Sequence, residues 1–279
     1  MRAFSFEQVD VFTDERLKGN PLAVVIGADE LSDKEMASLA NWTNLSETTF
    51  LLKPAAPTAD YRVRIFTPER ELPFAGHPTL GSCQVWLNAG NIPKGECIVQ
   101  ECRAGLISIR LEGNRLAFAA PPLLRTGEVE RSVLEQIAAG LHIMPDAIKA
   151  SQWVDNGPGW VAVMLASRSE VLELRPDYAA LSDLKLGVIA PWDSSTDGTE
   201  AQFEVRAFIP SRATEDPVTG SLNAGLAQWL IGAGLAPTEY IASQGTALGR
   251  AGRVYVERIK DETWIGGETV TCIEGTLRL

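Results

Sequence analysis

The chain has 279 residues, of which 45% are hydrophobic and 22% charged, so it has the composition of a folded globular protein and enough length for two domains. Its 36 acidic and 25 basic residues give a formal net charge of −11. A field of this sign repels nucleic acid and anionic membrane surfaces, so we expect neither as a partner. A local pocket for a small anionic substrate remains compatible with this charge.

The sequence favours a cytoplasmic location. Residues 1–12 contain no continuous apolar stretch of the kind found in signal peptides, and no segment reaches the roughly 18 apolar residues of a membrane span. Four cysteines are too few for a disulfide framework, so we expect reduced thiols: Cys83, Cys97, Cys102 and Cys272.

Hydrophobic periodicity predicts a mixture of strands and helices. The strands are expected at residues 4–12, 22–26, 50–52, 61–66 and 160–165. A helix is predicted over 31–42, with Ser32 or Asp33 as its N-cap, and another over 132–141. Pro121-Pro122 marks the best candidate for a mid-chain boundary.

An internal repeat is the most informative feature of the sequence. Residues 63–68 and 205–210 share the pattern V-R-x-F-x-P. When two extra residues are allowed in the second copy, Gly76, Gly81, Gln84, Ala89 and Gly90 align with Gly220, Gly225, Gln228, Ala233 and Gly234. Each copy is therefore predicted to be a strand, a loop containing proline and an apolar helix closed by glycine, which indicates two homologous halves.

The two repeated helices are apolar on nearly every side, so each is expected inside its own half. The first-turn N–H groups of a helix have no internal partner and its dipole favours an anion there. If the halves face each other, both helix starts point into one cleft and form a carboxylate site. The alternative is that the glycine and serine residues at these positions only cap the helices.

Three side chains are candidates for chemistry. His77 enters the first repeated helix among residues too small to bury it, and a helix N-terminus disfavours its imidazolium, so it would act as a neutral hydrogen-bonding group. Asp216 lies in the equivalent loop of the second half, where it is either functional or an N-terminal cap. Glu47 precedes a predicted strand in a polar loop, and a carboxylate in a dry cleft can exchange protons near neutrality.

Other chemistries lack their motifs. Residues 76–82 have glycines at Walker-like spacing but no lysine, residues 245–252 do not form a dinucleotide-binding pattern, and no G-x-S-x-G elbow occurs. Two histidines and scattered cysteines provide no zinc spacing. Acid/base chemistry without a metal or cofactor remains.

Several of these motifs together resemble those of the PhzF-like family, the phenazine-biosynthesis-like isomerases. The resemblance covers almost the whole chain and rests on the segments 9–13, 19–21, 46–50, 66–68, 72–79, 215–221, 244–245, 249–250 and 275–279. This chain departs from the family at Ala251-Gly252, where Pro-Ser often follows Gly249-Arg250, and the departure bears on any role for Gln244 and Arg250.

The resemblance implies an α+β fold similar to that of diaminopimelate epimerase. Two pseudo-symmetric domains, each a curved and mostly antiparallel sheet or barrel wrapped around a central helix, would hold the active site between them. We place these domains at 1–118 plus 266–279 and at 119–265. By analogy with the family, a homodimer is expected.

The resemblance also assigns roles at the site. Glu47 would be the general acid/base, His77 and Asp216 would hold the substrate and assist proton movement, and the backbone near Gly76, Gly220 and Ser221 would hold an anionic group. No cofactor is implied. Diaminopimelate and proline epimerases carry a cysteine in each half, whereas the aligned loops here have none, which disfavours two-thiol racemisation and places Cys83 in the core.

Three functions therefore remain open. The first is a proton-transfer isomerase acting on a small carboxylic or amino acid. The second is an amino-acid epimerase, which would need Asp216 or His77 as a second base. The third is a binding or regulatory protein that keeps the fold without the activity.

Overall fold

A computed structural model describes residues 1–279 as strands β1–β18 and helices α1–α6. The strands are β1 Ala3–Val11, β2 Asn20–Ile26, β3 Thr48–Leu52, β4 Tyr61–Phe66, β5 Glu71–Leu72, β6 Ile98–Cys102, β7 Gly105–Glu112, β8 Arg115–Ala119, β9 Arg125–Gly127, β10 Ala150–Asp155, β11 Trp160–Met164, β12 Lys185–Pro191, β13 Phe203–Ile209, β14 Thr214–Asp216, β15 Glu239–Gln244, β16 Gly252–Ile259, β17 Glu262–Gly267 and β18 Thr269–Arg278. The helices are α1 Asp33–Thr43, α2 Gly76–Asn88, α3 Arg131–Leu141, α4 Arg168–Glu173, α5 Tyr178–Leu181 and α6 Gly220–Gly232. All of them are too short or too polar to traverse a bilayer.

The chain forms two compact units. Unit 1 comprises Met1–Ala119 and Gly266–Leu279, and unit 2 comprises Ala120–Ile265. The division predicted from the sequence differs from this one only in the assignment of Ala119. The predicted α+β class, with curved and mostly antiparallel sheets around central helices, is confirmed.

The two units repeat the same order of strand orientations. In unit 1 the neighbours β1–β2, β2–β3, β3–β4, β4–β6 and β6–β7 are antiparallel, parallel, antiparallel, parallel and antiparallel. In unit 2 the neighbours β10–β11, β11–β12, β12–β13, β13–β15 and β15–β16 follow the same sequence. The repeat that was visible in one motif therefore extends over most of each sheet.

A buried helix forms the centre of each unit. Helix α2 packs against β18 and β8, which lie at opposite ends of the unit 1 ladder, so the sheet must curve around it. Helix α6 packs against β10, β11 and β16 of unit 2. Both helices are followed by a glycine in the left-handed conformation, Gly90 at φ 82° and Gly234 at φ 70°. The predicted burial of both helices and their glycine closure are confirmed.

The arginine of the V-R-x-F-x-P motif has a structural role in both units. Arg206 forms a bidentate ion pair with Glu215, with Nη2 2.7 Å from Oε2, and both side chains are buried. Arg64 pairs in the same way with Glu71. Because each pair joins a long strand to the short strand beside it, it fixes the chain just before the central helix begins.

The predicted boundaries of the outer elements are largely confirmed. Ser32 caps α1, and a reciprocal bond from Glu35 completes a capping box. Helix α1 covers the other face of the unit 1 sheet through an apolar cluster that includes Leu31, Met36 and Phe50. In unit 2, helices α3, α4 and α5 cover β11–β13 through a second cluster.

Gly225 is required by the close approach of α6 to β10. A Cβ atom at this position would lie 2.3 Å from the carbonyl oxygen of Val154, which is backbone and cannot move aside. We expect Gly225→Ala to lower the free energy of unfolding by about 1–3 kcal/mol, the usual cost of overpacking.

Gly232 in the same helix is the matched control. A Cβ there meets nothing within 4 Å, so Gly232→Ala should be neutral or stabilising by up to about 1 kcal/mol. Urea unfolding of the two variants measures both values, and equal effects would contradict the packing described for α6.

Candidate active site

Glu47 is held in a short loop between α1 and β3. Helix α1 ends at Thr43, and its C-cap Asn44, with a φ of 52°, turns the chain out of the helix. The hydroxyls of Thr43 and Thr48 lie 2.9 Å apart and join the two ends of the loop. Glu47 is thus fixed immediately before β3, with a side chain that is only 15% exposed.

His77 is the second residue of α2. The helix begins at Gly76, and Pro78 is tolerated in the first turn because a backbone N–H is not needed there. His77 is buried, with 5% exposure, so the expectation that its small neighbours leave it accessible is wrong. It contacts Asn20 and Glu47, which are distant in sequence, and local residue size does not reveal such partners.

The His77 ring lies between these two side chains. Its Nε2 is 3.4 Å from Oε2 of Glu47, and its Nδ1 is 3.4 Å from Nδ2 of Asn20. Burial lowers the pKa of His77 to about 3, so the imidazole is neutral at physiological pH. The sequence predicted a neutral ring from the helix dipole, whereas the cause in the structure is desolvation.

Asp216 lies in unit 2, at the end of β14 and just before α6. The N-cap of α6 is Thr219, so the interpretation of Asp216 as a helix cap is wrong. The Thr219 hydroxyl instead donates to Oδ2 of Asp216 at 2.5 Å, and both residues are buried. This bond fixes the direction of the Asp216 carboxylate.

Gln244 secures the same loop through its side-chain amide. Its Nε2 donates to the carbonyl of Asp216 at 3.1 Å and to the hydroxyl of Thr219 at 3.0 Å. Its Oε1 accepts from the Thr219 N–H and from Asn223 Nδ2. Gly245 follows with a φ of 90°, and a Cβ there would lie 2.7 Å from the carbonyl of Pro217. The Gln-Gly motif therefore holds the loop that carries Asp216.

The starts of α2 and α6 have no capping side chain. Ala75 and Thr219 are their N-caps, and neither makes a side-chain cap hydrogen bond. Neither N-cap is a glycine or a serine, so the alternative in which those residues cap the helices is wrong. Ser221 is oriented by Trp160, whose Nε1 donates to its hydroxyl at 3.0 Å. Gly76 and Gly220 are buried in the first turns of these helices.

The cysteines do not form part of either loop. Cys83 is fully buried, as predicted, and burial raises the pKa of its thiol to about 12, which keeps it protonated. No disulfide forms, and no three His, Cys, Asp or Glu side chains are grouped as metal ligands.

The repeat does not place the same chemistry in both units. Phe66 and Phe208 are equivalent in the V-R-x-F-x-P motif, and they pair with Thr48 and Leu186 respectively. The residue before Thr48 is Glu47, and the residue before Leu186 is Lys185. By the alignment of the two central helices, Ser221 takes the position of His77. Unit 1 alone therefore holds a carboxylate beside an imidazole.

The chain matches a known protein family over most of its length. The profile of the family described as phenazine biosynthesis-like protein matches residues 9–275. The chain is 37% identical to antisense-enhancing sequence 1 of Schizosaccharomyces pombe, over 99% of both chains. It is 34% identical to trans-2,3-dihydro-3-hydroxyanthranilate isomerase of Pseudomonas aeruginosa, over 95% of this chain and 92% of the relative.

A solved structure shares the whole fold. The PhzF family protein of Enterococcus faecalis superposes with a TM-score of 0.83 at 28% identity and covers 100% of both chains. The chain therefore belongs to the phenazine biosynthesis-like family, and it is an isomerase of that family.

The buried neutral state of His77 predicts a specific pH dependence of stability. The folded-state pKa of about 3 lies below the value of about 6.5 for an unfolded histidine. Between these pH values the unfolded chain binds a proton that the folded chain does not, so acidification through this window favours unfolding. The free energy of unfolding of the wild type should fall more steeply below pH 6.5 than that of His77→Gln.

His142→Gln is the matched control, because it removes the other histidine and keeps the buried one. It should retain the wild-type slope. Urea unfolding at a series of pH values measures all three proteins, and identical slopes for the wild type and His77→Gln would show that His77 is not held neutral by burial.

Proposed function

We propose that the protein is a cofactor-independent isomerase that moves a proton on a small unsaturated carboxylic or amino acid, with Glu47 as the acid and base. The observation that carries this proposal is the position of the Glu47 carboxylate, 3.4 Å from a buried neutral imidazole. A neutral imidazole beside the carboxylate does not form a salt bridge with it. The carboxylate therefore remains suited to taking and returning a proton.

The proposed reaction conserves every atom and electron. The Glu47 carboxylate removes a proton from one carbon of the substrate, and the electron pair of that C–H bond shifts through the adjacent double bond. The resulting carboxylic acid of Glu47 then returns a proton to a second carbon. The product is a double-bond isomer, and Glu47 is again a carboxylate.

The remaining predicted residues would bind the substrate. First-turn N–H groups at Gly76, Gly220 and Ser221 are suited to an anionic group, since no side chain caps their helices. Asp216, fixed by Thr219, is suited to an amino or hydroxyl group of the substrate. As the sequence predicts, we propose that these groups meet in a cleft between the domains.

The substrate class follows from the same groups. A carboxylate and an amino or hydroxyl substituent on one unsaturated ring would satisfy both kinds of binding residue. The isomerase of P. aeruginosa is named for a substrate of this kind, dihydro-hydroxyanthranilate. The difference between Glu47 and Lys185 favours one carboxylate base over a symmetric pair, and so favours isomerisation over epimerisation.

Solvent-deuterium incorporation followed by NMR tests the proposal. Dihydro-hydroxyanthranilate and a panel of amino and cyclic unsaturated acids would be incubated with the protein in deuterated water. We expect deuterium to enter one substrate at the carbon that gains the proton, and Glu47→Gln to slow this by about 10²–10⁴-fold, the usual contribution of a general acid/base.

Glu112→Gln is the control, because Glu112 is an exposed carboxylate in β7 of the same unit. It should exchange at the wild-type rate. Equal rates for the wild type and Glu47→Gln would contradict Glu47 as the base. Deuterium at a stereocentre without movement of a double bond would indicate epimerisation instead.

A further inference from the structure

Asn20 contacts Nδ1 of His77, the ring nitrogen that does not face Glu47. It is the first residue of β2, it is fully buried, and its side-chain Nδ2 lies 3.4 Å from Nδ1 of His77. The two residues are far apart in sequence, and neither the repeat nor the candidate residues of the sequence point to their contact. In the sequence, Asn20 is only one of the residues in the segments on which the family resemblance rests.

The turn before Asn20 holds it rigidly. The N–H of Gly19 donates to Oδ2 of the buried Asp10 at 3.3 Å. Asn20 pairs with Val11 across the β1–β2 ladder. A Cβ on Gly19 would lie 2.4 Å from the carbonyl oxygen of Val11, so only glycine permits this close approach. The Asn20 side chain is therefore presented to His77 from a fixed backbone.

The chemistry of the contact determines which nitrogen of His77 carries the proton. A side-chain amide nitrogen can only donate a hydrogen bond, so Nδ1 of His77 must accept one from Asn20. A neutral imidazole has one N–H, which must then be on Nε2. Nε2 is the atom that faces the Glu47 carboxylate. In the other tautomer a lone pair on Nε2 would face the carboxylate and repel it.

We propose that Asn20 is a positioning residue that fixes the Nε2–H tautomer of His77 and thereby orients Glu47. The assignment of the tautomer stands on the contacts alone, whereas its effect on turnover rests on the proposed function. Asp10 and Gly19 contribute to this role by fixing the backbone of Asn20.

Nitrogen-15 NMR of the imidazole rings in the unliganded protein tests the tautomer directly. The sequence has only two histidines, and His142→Gln assigns their signals. We expect Nε2 of wild-type His77 to carry the proton and Nδ1 to be bare. A proton on Nδ1 in the wild type would overturn the proposal, and this measurement needs no variant of Asn20.

The variant Asn20→Asp nearly preserves shape but replaces the amide donor with an acceptor. Nδ1 of His77 should therefore gain a proton, whereas the exposed turn variant Asn114→Asp should leave the ring unchanged. An unaltered ring in Asn20→Asp would show that Asn20 does not set the tautomer.

Turnover provides the second readout. Asn20→Asp should lower kcat by about 10- to 100-fold, the size of the loss when a hydrogen-bond partner of a metal-bound histidine is changed, with little change in KM. An unchanged kcat in a protein whose tautomer has switched would overturn the role of Asn20 in orienting Glu47. Because the NMR measurement needs no substrate, failure of the isomerase proposal leaves the tautomer result intact.

Discussion

The burial of a neutral imidazole against a carboxylate is the interaction on which the candidate site depends. His77 is placed in the first turn of a central helix, where water is excluded and the charged ring is strongly disfavoured. An imidazolium at this position would pair with Glu47 and hold it as a salt bridge. A neutral ring forms no such salt bridge, which leaves the Glu47 carboxylate available for the proton transfer that we propose.

The two units share one backbone arrangement but differ in the side chains at the candidate site. Both units have the same order of strand orientations, a buried helix and an arginine–glutamate pair before it. Unit 1 adds Glu47, His77 and Asn20 to this frame. Unit 2 has Lys185 and Ser221 at the positions of Glu47 and His77, and adds Asp216 with Thr219 and Gln244. A duplicated scaffold thus carries a carboxylate beside an imidazole in one copy and a fixed carboxylate in the other.

The architecture could be predicted well from the sequence because it depends on an internal repeat and on hydrophobic periodicity. The V-R-x-F-x-P motif and the apolar helices identified the central elements, and Ser32 identified the start of α1. The polar contacts of the site are harder to predict from the sequence. The partners of His77 and Asp216 include Asn20 and Gln244, which come from other strands, and only the register of the sheets brings them together. The burial of His77 is hard to predict for the same reason, since the side chains that it contacts are distant in sequence.

A double-mutant cycle on Glu47 and His77 tests the central claim most directly. The rate of solvent-deuterium exchange would be measured for the wild type, Glu47→Gln, His77→Gln and the double variant. If His77 acts through Glu47, removal of both side chains should be no slower than removal of Glu47 alone. Losses that multiply in the double variant would show that the two residues act independently, and would contradict the coupled carboxylate–imidazole pair.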